Sequence, residues 1–141
     1  MGLFLLVLLW GCNENAKDDQ QFSRRERIEL KQYYVMGERL YAQHCSNCHM
    51  PNGEGLGRLI PPIKGTDFME RDSLLACIIK YGLSGEIEVN GVIYNQPMPG
   101  IPQLTNLEIA QISTYLHKEF FKEDVLLKPS AIEKMLSECE P

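Results

Sequence analysis

The sequence predicts an all-α domain of three or four helices joined by long irregular connections, with at most one small hairpin near residues 86–94. Three observations lead there. Ser/Thr-x-x-Glu patterns, which close a helix N-terminus by exchanging side-chain and backbone hydrogen bonds, stand before three segments. Apolar residues in the first two of those segments recur every three or four positions, the period of a buried helical face. The connections are rich in glycine and proline, as in "PNGEGLGRLIPPIKG", and only "EIEVNGVIY" alternates as a strand pair would. At 141 residues the chain suits one domain. With 14 Lys+Arg against 19 Asp+Glu it is mildly acidic, and no basic block suits it to nucleic acid.

The N-terminus comes first. Met1 and Gly2 precede the apolar run "LFLLVLLW", then Gly11 and Cys12. That run is too short to span a bilayer but matches the core of an export signal. Leu9-Trp10-Gly11-Cys12 reads as the lipobox of a bacterial lipoprotein, with residues 1–11 the signal and Cys12 the lipid-bearing mature N-terminus. No basic residue precedes the run and Trp10 is bulky for its place; the other reading is a buried N-terminal strand or helix. Residues 12–22, containing the polar, aperiodic "NENAKDDQQ", form a tether to a domain over residues 23–141. A lipid on Cys12 would place that domain in the periplasm or cell envelope, held to a bacterial membrane.

Ser23 and Glu26 open the first helix, which should run to about Gln43 with Leu30, Tyr34, Gly37 and Tyr41 on one face. A glycine inside a helix costs about 1 kcal/mol relative to alanine, so Gly37 on the apolar face suggests a second helix crossing closely there; a merely tolerated glycine is the alternative. The connection after residue 50 is a loop. A short helix covers residues 70–81 and stops at Gly82. Asn90-Gly91 marks a tight hairpin turn, and "NQPMPG" is extended chain. Thr105 and Glu108 open another helix with Leu104 and Ile109 placed as a hydrophobic staple, and Ile109, Ile112, Leu116 and Phe120 on its inner face. Ser130 and Glu133, after Pro129, open a short terminal helix. Cys77 and Cys139 each fall on an apolar stripe and read as buried thiols, with a bridge between them the alternative that an oxidising compartment allows.

The chemistry lies in "CSNCHMPNGEG", residues 45–55. A thioredoxin-like redox pair needs a strand before its C-x-x-C, whereas a helix leads into Cys45. A zinc site needs a second Cys/His cluster; Cys48 and His49 are adjacent, and His44 and His117 stand apart. C-x-x-C-H is the attachment signature of a c-type haem. Two thiols one helical turn apart reach the two vinyl groups on one porphyrin edge, and the next residue projects its imidazole toward the iron. Cys45 and Cys48 are thus the attachment residues for one haem c and His49 an iron ligand. The second ligand is expected far along the chain. Met98, a soft thioether between Pro97 and Pro99, fits. Met50, Met69 and Met135 are poorly placed for that role, and His117 reads as a surface residue. The glycines at 53, 55 and 57 have no strand before them, so they read as backbone turning at a haem edge rather than a phosphate cradle.

Residues 37–120 resemble the small monohaem cytochromes c of class I, through "GERLYAQHCSNCHMPNGEG", "PPI", "VNGVIYNQPMPG" and "LTNLEIAQISTYL" in that order. The resemblance implies a cytochrome c fold, three to four helices around a covalent haem, with the first and last main helices crossing near Gly37 and Tyr41. It implies that the Pro61 carbonyl, or that of Pro62, accepts a bond from the His49 imidazole, and that Ile63 packs on the haem. The tail from residue 122 is less typical of the family. The expected function is one-electron transfer in a respiratory or periplasmic chain, with redox partners carrying basic docking patches and without enzymatic chemistry of its own. The alternatives are the cytochrome subunit of a periplasmic dehydrogenase, a haem peroxidase, and a haem-based gas-binding module.

Overall fold

In the computed structural model, which describes residues 22–67 and 72–139, two long helices cross and the rest of the chain builds a pocket beside their crossing. Cys12, the apolar start, most of the tether and Met69 lie outside the described residues. Helix α1 spans Arg24–His44 and α4 spans Asn106–Leu116. Both open on the expected reciprocal caps: the Ser23 hydroxyl accepts from the Glu26 N–H while Glu26 accepts from the Ser23 N–H, and Thr105 and Glu108 do the same. Two otherwise unpaired helix-terminal donors are satisfied at each end. Leu104 and Ile109, the staple pair, are both buried in the core.

Gly37 is where the helices meet. A Cβ there would overlap the Gln111 carbonyl and lie 2.7 Å from the Tyr115 Cβ, so only glycine lets α4 approach this closely. Tyr34, Tyr41, Tyr115 and Phe120 then pack ring against ring over the crossing, with centroids 5.3–5.7 Å apart. Tyr34 is only partly buried, and Tyr33 and Leu40 complete the inner face of α1 instead.

After α1, a single turn, α2, covers Ser46–His49. The loop that follows is folded tightly on itself, and α3 spans Asp72–Tyr81. The expected hairpin forms from Ile87–Val89 and Val92–Tyr94, turning at Asn90 (φ 51°) and Gly91 (φ 74°), the paired positive φ of a type I′ turn. Among the described residues these are, in chain order, the second and third of four short strands. The first and fourth, Gly82–Leu83 (β1) and Met98–Pro99 (β4), pair antiparallel with Leu83 opposite Met98. This pair was not expected, because two-residue strands carry no alternation that a sequence pattern can register.

Three further expectations change. Beyond Leu116 the chain continues as a π-helical turn, His117–Phe121, closed by Lys122 in the left-handed region at φ 62°. That turn and the returning chain bury His117, whose Nδ1 lies 3.1 Å from Glu123 Oε2 and whose ring packs on Phe121; it is not a surface residue. The terminal helix α5 spans Pro129–Ser137, but its cap residue is Lys128, with proline at the first turn and no side-chain cap bond, so Ser130 and Glu133 form no box. Cys77 and Cys139 are joined by a disulfide across 62 residues, not left as thiols. Tyr81 of the expected α3 stripe is exposed, but α3 and α5 pack on each other and bring the two sulfurs together.

Candidate functional site

Beside the α1–α4 crossing lies an apolar pocket. Its walls are aliphatic side chains from α3, α4 and the hairpin, including Leu75, Ile79, Ile112, Leu116, Ile87 and Val89. It adjoins an outer cleft that shares Cys45, His49, Pro61, Leu83, Ile87 and Met98 with it. The sequence-expected site residues are gathered here. Cys45, His49, Pro61, Ile63 and Met98 line the inner cavity, and Cys48 lines the outer cleft.

Local structure explains the His49 side. Cys45 ends α1 with its N–H donating to the Tyr41 carbonyl, and the Cys48 and His49 N–H groups both donate to the Cys45 carbonyl. The two cysteines and the histidine therefore ride on one turn at the mouth of the cavity. Cys45 is half-buried and Cys48 exposed, both as free thiols. Burial, then the neighbouring Cys48, pushes the Cys45 thiol up to about 11. An exchange-active C-x-x-C pair requires the opposite, a depressed thiol. His49 is buried. Its Nδ1 lies 3.1 Å from the Pro61 carbonyl oxygen, to which it donates in the tautomer that leaves Nε2 bare as a ligand. Desolvation holds this imidazole below the ordinary histidine range, with the Pro61 bond pulling the other way.

The Pro61 carbonyl reaches His49 because the loop doubles back. The Gly55 N–H donates to the His49 carbonyl, and the Gly53 carbonyl accepts from both Ile63 and Lys64. Gly55 sits at φ +69°, and a Cβ there would fall 2.6 Å from the Pro61 oxygen itself. The glycine run is thus a device for wrapping backbone around His49. The residue after the histidine stores strain. Met50 adopts φ 64°, ψ 154°, a region otherwise left to glycine. Tyr41 holds it there, its hydroxyl donating to the Met50 carbonyl at 2.7 Å.

The Met98 side is assembled from distant pieces. Strand β1, directly after α3, holds Met98 in its ladder with β4. Among the described residues Met98 is the methionine that lines the cavity; Met135 packs against the core without lining the cavity, and Met50 is exposed. Lys80 and the Cys77–Cys139 bridge lie beside this assembly, and nothing in their local sequence marks them as neighbours of Met98.

The donor set suits haem c: two thiols on one turn at the rim, an imidazole and a thioether lining the pocket, and apolar walls around them. The comparisons agree. The family model for cytochrome c matches residues 34–119, more than half of the chain. Cytochrome c-552 of Thermus thermophilus is 35% identical over 85 residues, which cover 57% of this chain and 64% of that protein. A second cytochrome c-552, from Thermus thermophilus strain ATCC 27634, is likewise 35% identical over 85 residues, 57% of each chain. The chain therefore spans less than two thirds of the length of these curated relatives. The matched segment contains both cysteines, His49, Pro61 and Met98, and the chain accordingly belongs to the cytochrome c family, whose members bind haem c covalently.

Proposed function

We propose that the protein is a one-electron carrier that would hold one haem c through Cys45 and Cys48, with His49 and Met98 as the residues that would ligate its iron. One observation carries this reading: His49, oriented by the Pro61 carbonyl, and Met98, held by a separate strand pair, line the same apolar cavity. Bound haem c supplies one-electron chemistry through the ferrous–ferric couple. The chain's own groups set its conditions. With haem c bound, His49 and Met98 would both ligate its iron and would leave a substrate no ligand site. The thioether of Met98 favours ferrous iron and raises the potential relative to two histidines. The aliphatic walls keep water from the site and act in the same direction. The exposure of Cys48 beside the half-buried Cys45 marks the rim where a redox partner can approach.

In this reading the N-terminal lipobox attaches Cys12 to a bacterial membrane, with the domain in the periplasm or envelope and its partners carrying basic docking patches to meet an acidic chain. Among the described residues no helix is long and apolar enough to cross a membrane.

A spectrum tests the proposal. Oxidised protein should show the weak near-infrared band of thioether sulfur on ferric haem, and reduced protein should resist carbon monoxide. Fast carbon monoxide binding by the parent would favour a gas-binding module, and a dehydrogenase that co-purifies in fixed stoichiometry would favour an enzyme subunit.

A further inference from the structure

The chain does not end where the family match ends. Beyond residue 119 it turns at Lys122 and runs back over the core. Leu127 is buried and Ile132 is fully so. Lys128 Nζ lies 2.6 Å from Glu29 Oε2 of α1, and α5 packs on both α3 and α4. The described part of this strap is fastened to α3 by Cys139, through its disulfide to Cys77.

What α3 holds is the Met98 segment. One residue short of a full turn past Cys77, Lys80 Nζ donates to the Pro102 and Leu104 carbonyls, 2.7 Å each. The Ile79 carbonyl accepts from the Ile101 N–H at 3.0 Å. Strand β1 then pairs with β4, with no room between the backbones: a Cβ on Gly82 would meet the Met98 carbonyl oxygen at 2.5 Å, and one on Gly100 would lie 2.6 Å from the Gly82 nitrogen. Every residue from 98 to 104 that bonds to this region bonds to the C-terminal end of α3 or to the two residues after it. Cys139 itself lines a surface cleft with Gly82, Leu83 and Met98.

From this we infer that the C-terminal strap, coupled through Cys77–Cys139, is a positioning element for Met98, with Lys80 as the link between α3 and the Met98 segment. The inference rests on the proposed ligand role of Met98. With the bridge closed, α3 is clamped between α4 and α5, and the thioether cannot leave without moving that clamp. With it open, α3 keeps only its non-covalent packing on α4 and α5, and the Met98-off conformation gains population. Carbon monoxide binds only that conformation, so its apparent affinity rises in proportion to the population, by about tenfold here.

The experiment uses mature holoprotein. Ferrous protein prepared with ascorbate, which leaves the bridge intact, is compared with protein also treated with a phosphine, which transfers two electrons to the disulfide and leaves two thiols. Thiol labelling confirms the opening. The expected result is about tenfold tighter carbon monoxide binding, a weaker thioether band on ferric haem, and faster hydrogen exchange at the Ile101 amide, all restored on reoxidation. Lys80→Met should reproduce the effect with the bridge intact, and Lys80→Arg should largely not. A Cys77→Ser/Cys139→Ser protein provides the same comparison where the bridge resists the phosphine. Unchanged carbon monoxide binding and Ile101 exchange in bridge-opened protein, with only a lower melting temperature, would overturn the inference and leave the strap a fold stabiliser. Parent protein that already binds carbon monoxide as Met98→Ala does would instead refute the ligand role, and the inference with it.

Discussion

The two sides of the cavity are built on opposite plans. The His49 side is local. From the end of α1 to Lys64 it is one short run of chain, held by bonds among near neighbours: Tyr41 to Met50, Gly55 to His49, His49 to Pro61, Gly53 to Ile63. The Met98 side is assembled from separated pieces. It draws on β1, on the end of α3, and, through the bridge, on a helix beyond residue 128. A local site forms with little loop-closure cost and resists perturbation elsewhere, whereas a site closed over many residues inherits the stability of every piece it borrows. The histidine side is expected to be the fixed wall of this protein and the methionine side the adjustable one.

The largest test removes the fixed wall. His49→Ala should yield no mature holoprotein, seen as loss of covalent haem by mass and by absorbance. Recovery of normally loaded His49→Ala would show that this wall is not what the cavity is built around. Met98→Ala should be milder: haem stays covalent, the potential falls on the order of 0.2 V, and reduced protein binds carbon monoxide. A potential and spectrum equal to the parent's would show that the other wall supplies no ligand.

The helix crossing comes next. In an exposed helix Gly37→Ala would stabilise by about 1 kcal/mol. Here the added methyl overlaps the Gln111 carbonyl, so chemical denaturation should show a loss of about 2–3 kcal/mol. The sign alone decides whether the two helices touch as described. Met50→Gly has the opposite sign. It relieves a positive-φ strain of about 1–3 kcal/mol and loses about 0.5–1 kcal/mol to glycine's chain entropy, for a net gain of about 1 kcal/mol on the histidine side.

The smallest effect is at the α4 cap. Thr105→Ala should cost about 1 kcal/mol. Bonds from the Thr105 backbone, then its side chain, hold the Glu108 carboxyl below the usual carboxylate range. A depressed carboxylate stabilises the fold above its unfolded pKa and loses that contribution as pH falls through its folded value. The difference between parent and Thr105→Ala should therefore shrink in acid below the ordinary glutamate range, as thermal melts across pH would record; a constant difference would mean that the Thr105 hydroxyl does not stabilise the Glu108 carboxylate.

The same division decides what the sequence could reveal. Ser23, Glu26, Thr105 and Glu108 announce their helices because a cap is a three-residue interaction. Cys45, Cys48 and His49 announce a shared turn because their spacing is that of one helical turn. Gly37 was legible as a close crossing once its face was known, and Asn90-Gly91 as a turn by its φ requirements. The β1–β4 pair, the Cys77–Cys139 bridge and the Lys80 clamp were not, since each joins residues whose approach depends on the completed fold. Met98 lies between the two cases: its flanking prolines singled it out, but the strand that holds it did not show. The buried His117 escaped notice because it continues the Ala110–Ser113 face of α4, which lies beside the apolar stripe and is buried as well, with Glu123 and Phe121 against the ring.

The most direct test of the central claim, that this cavity holds a haem welded to Cys45 and Cys48, is the intact mass of the domain made in a host competent for haem ligation. The account predicts red protein one haem heavier than its polypeptide, with haem on the peptide containing residues 45–49 and neither thiol open to alkylation. Colourless protein at the polypeptide's own mass, with both thiols alkylated, would contradict it.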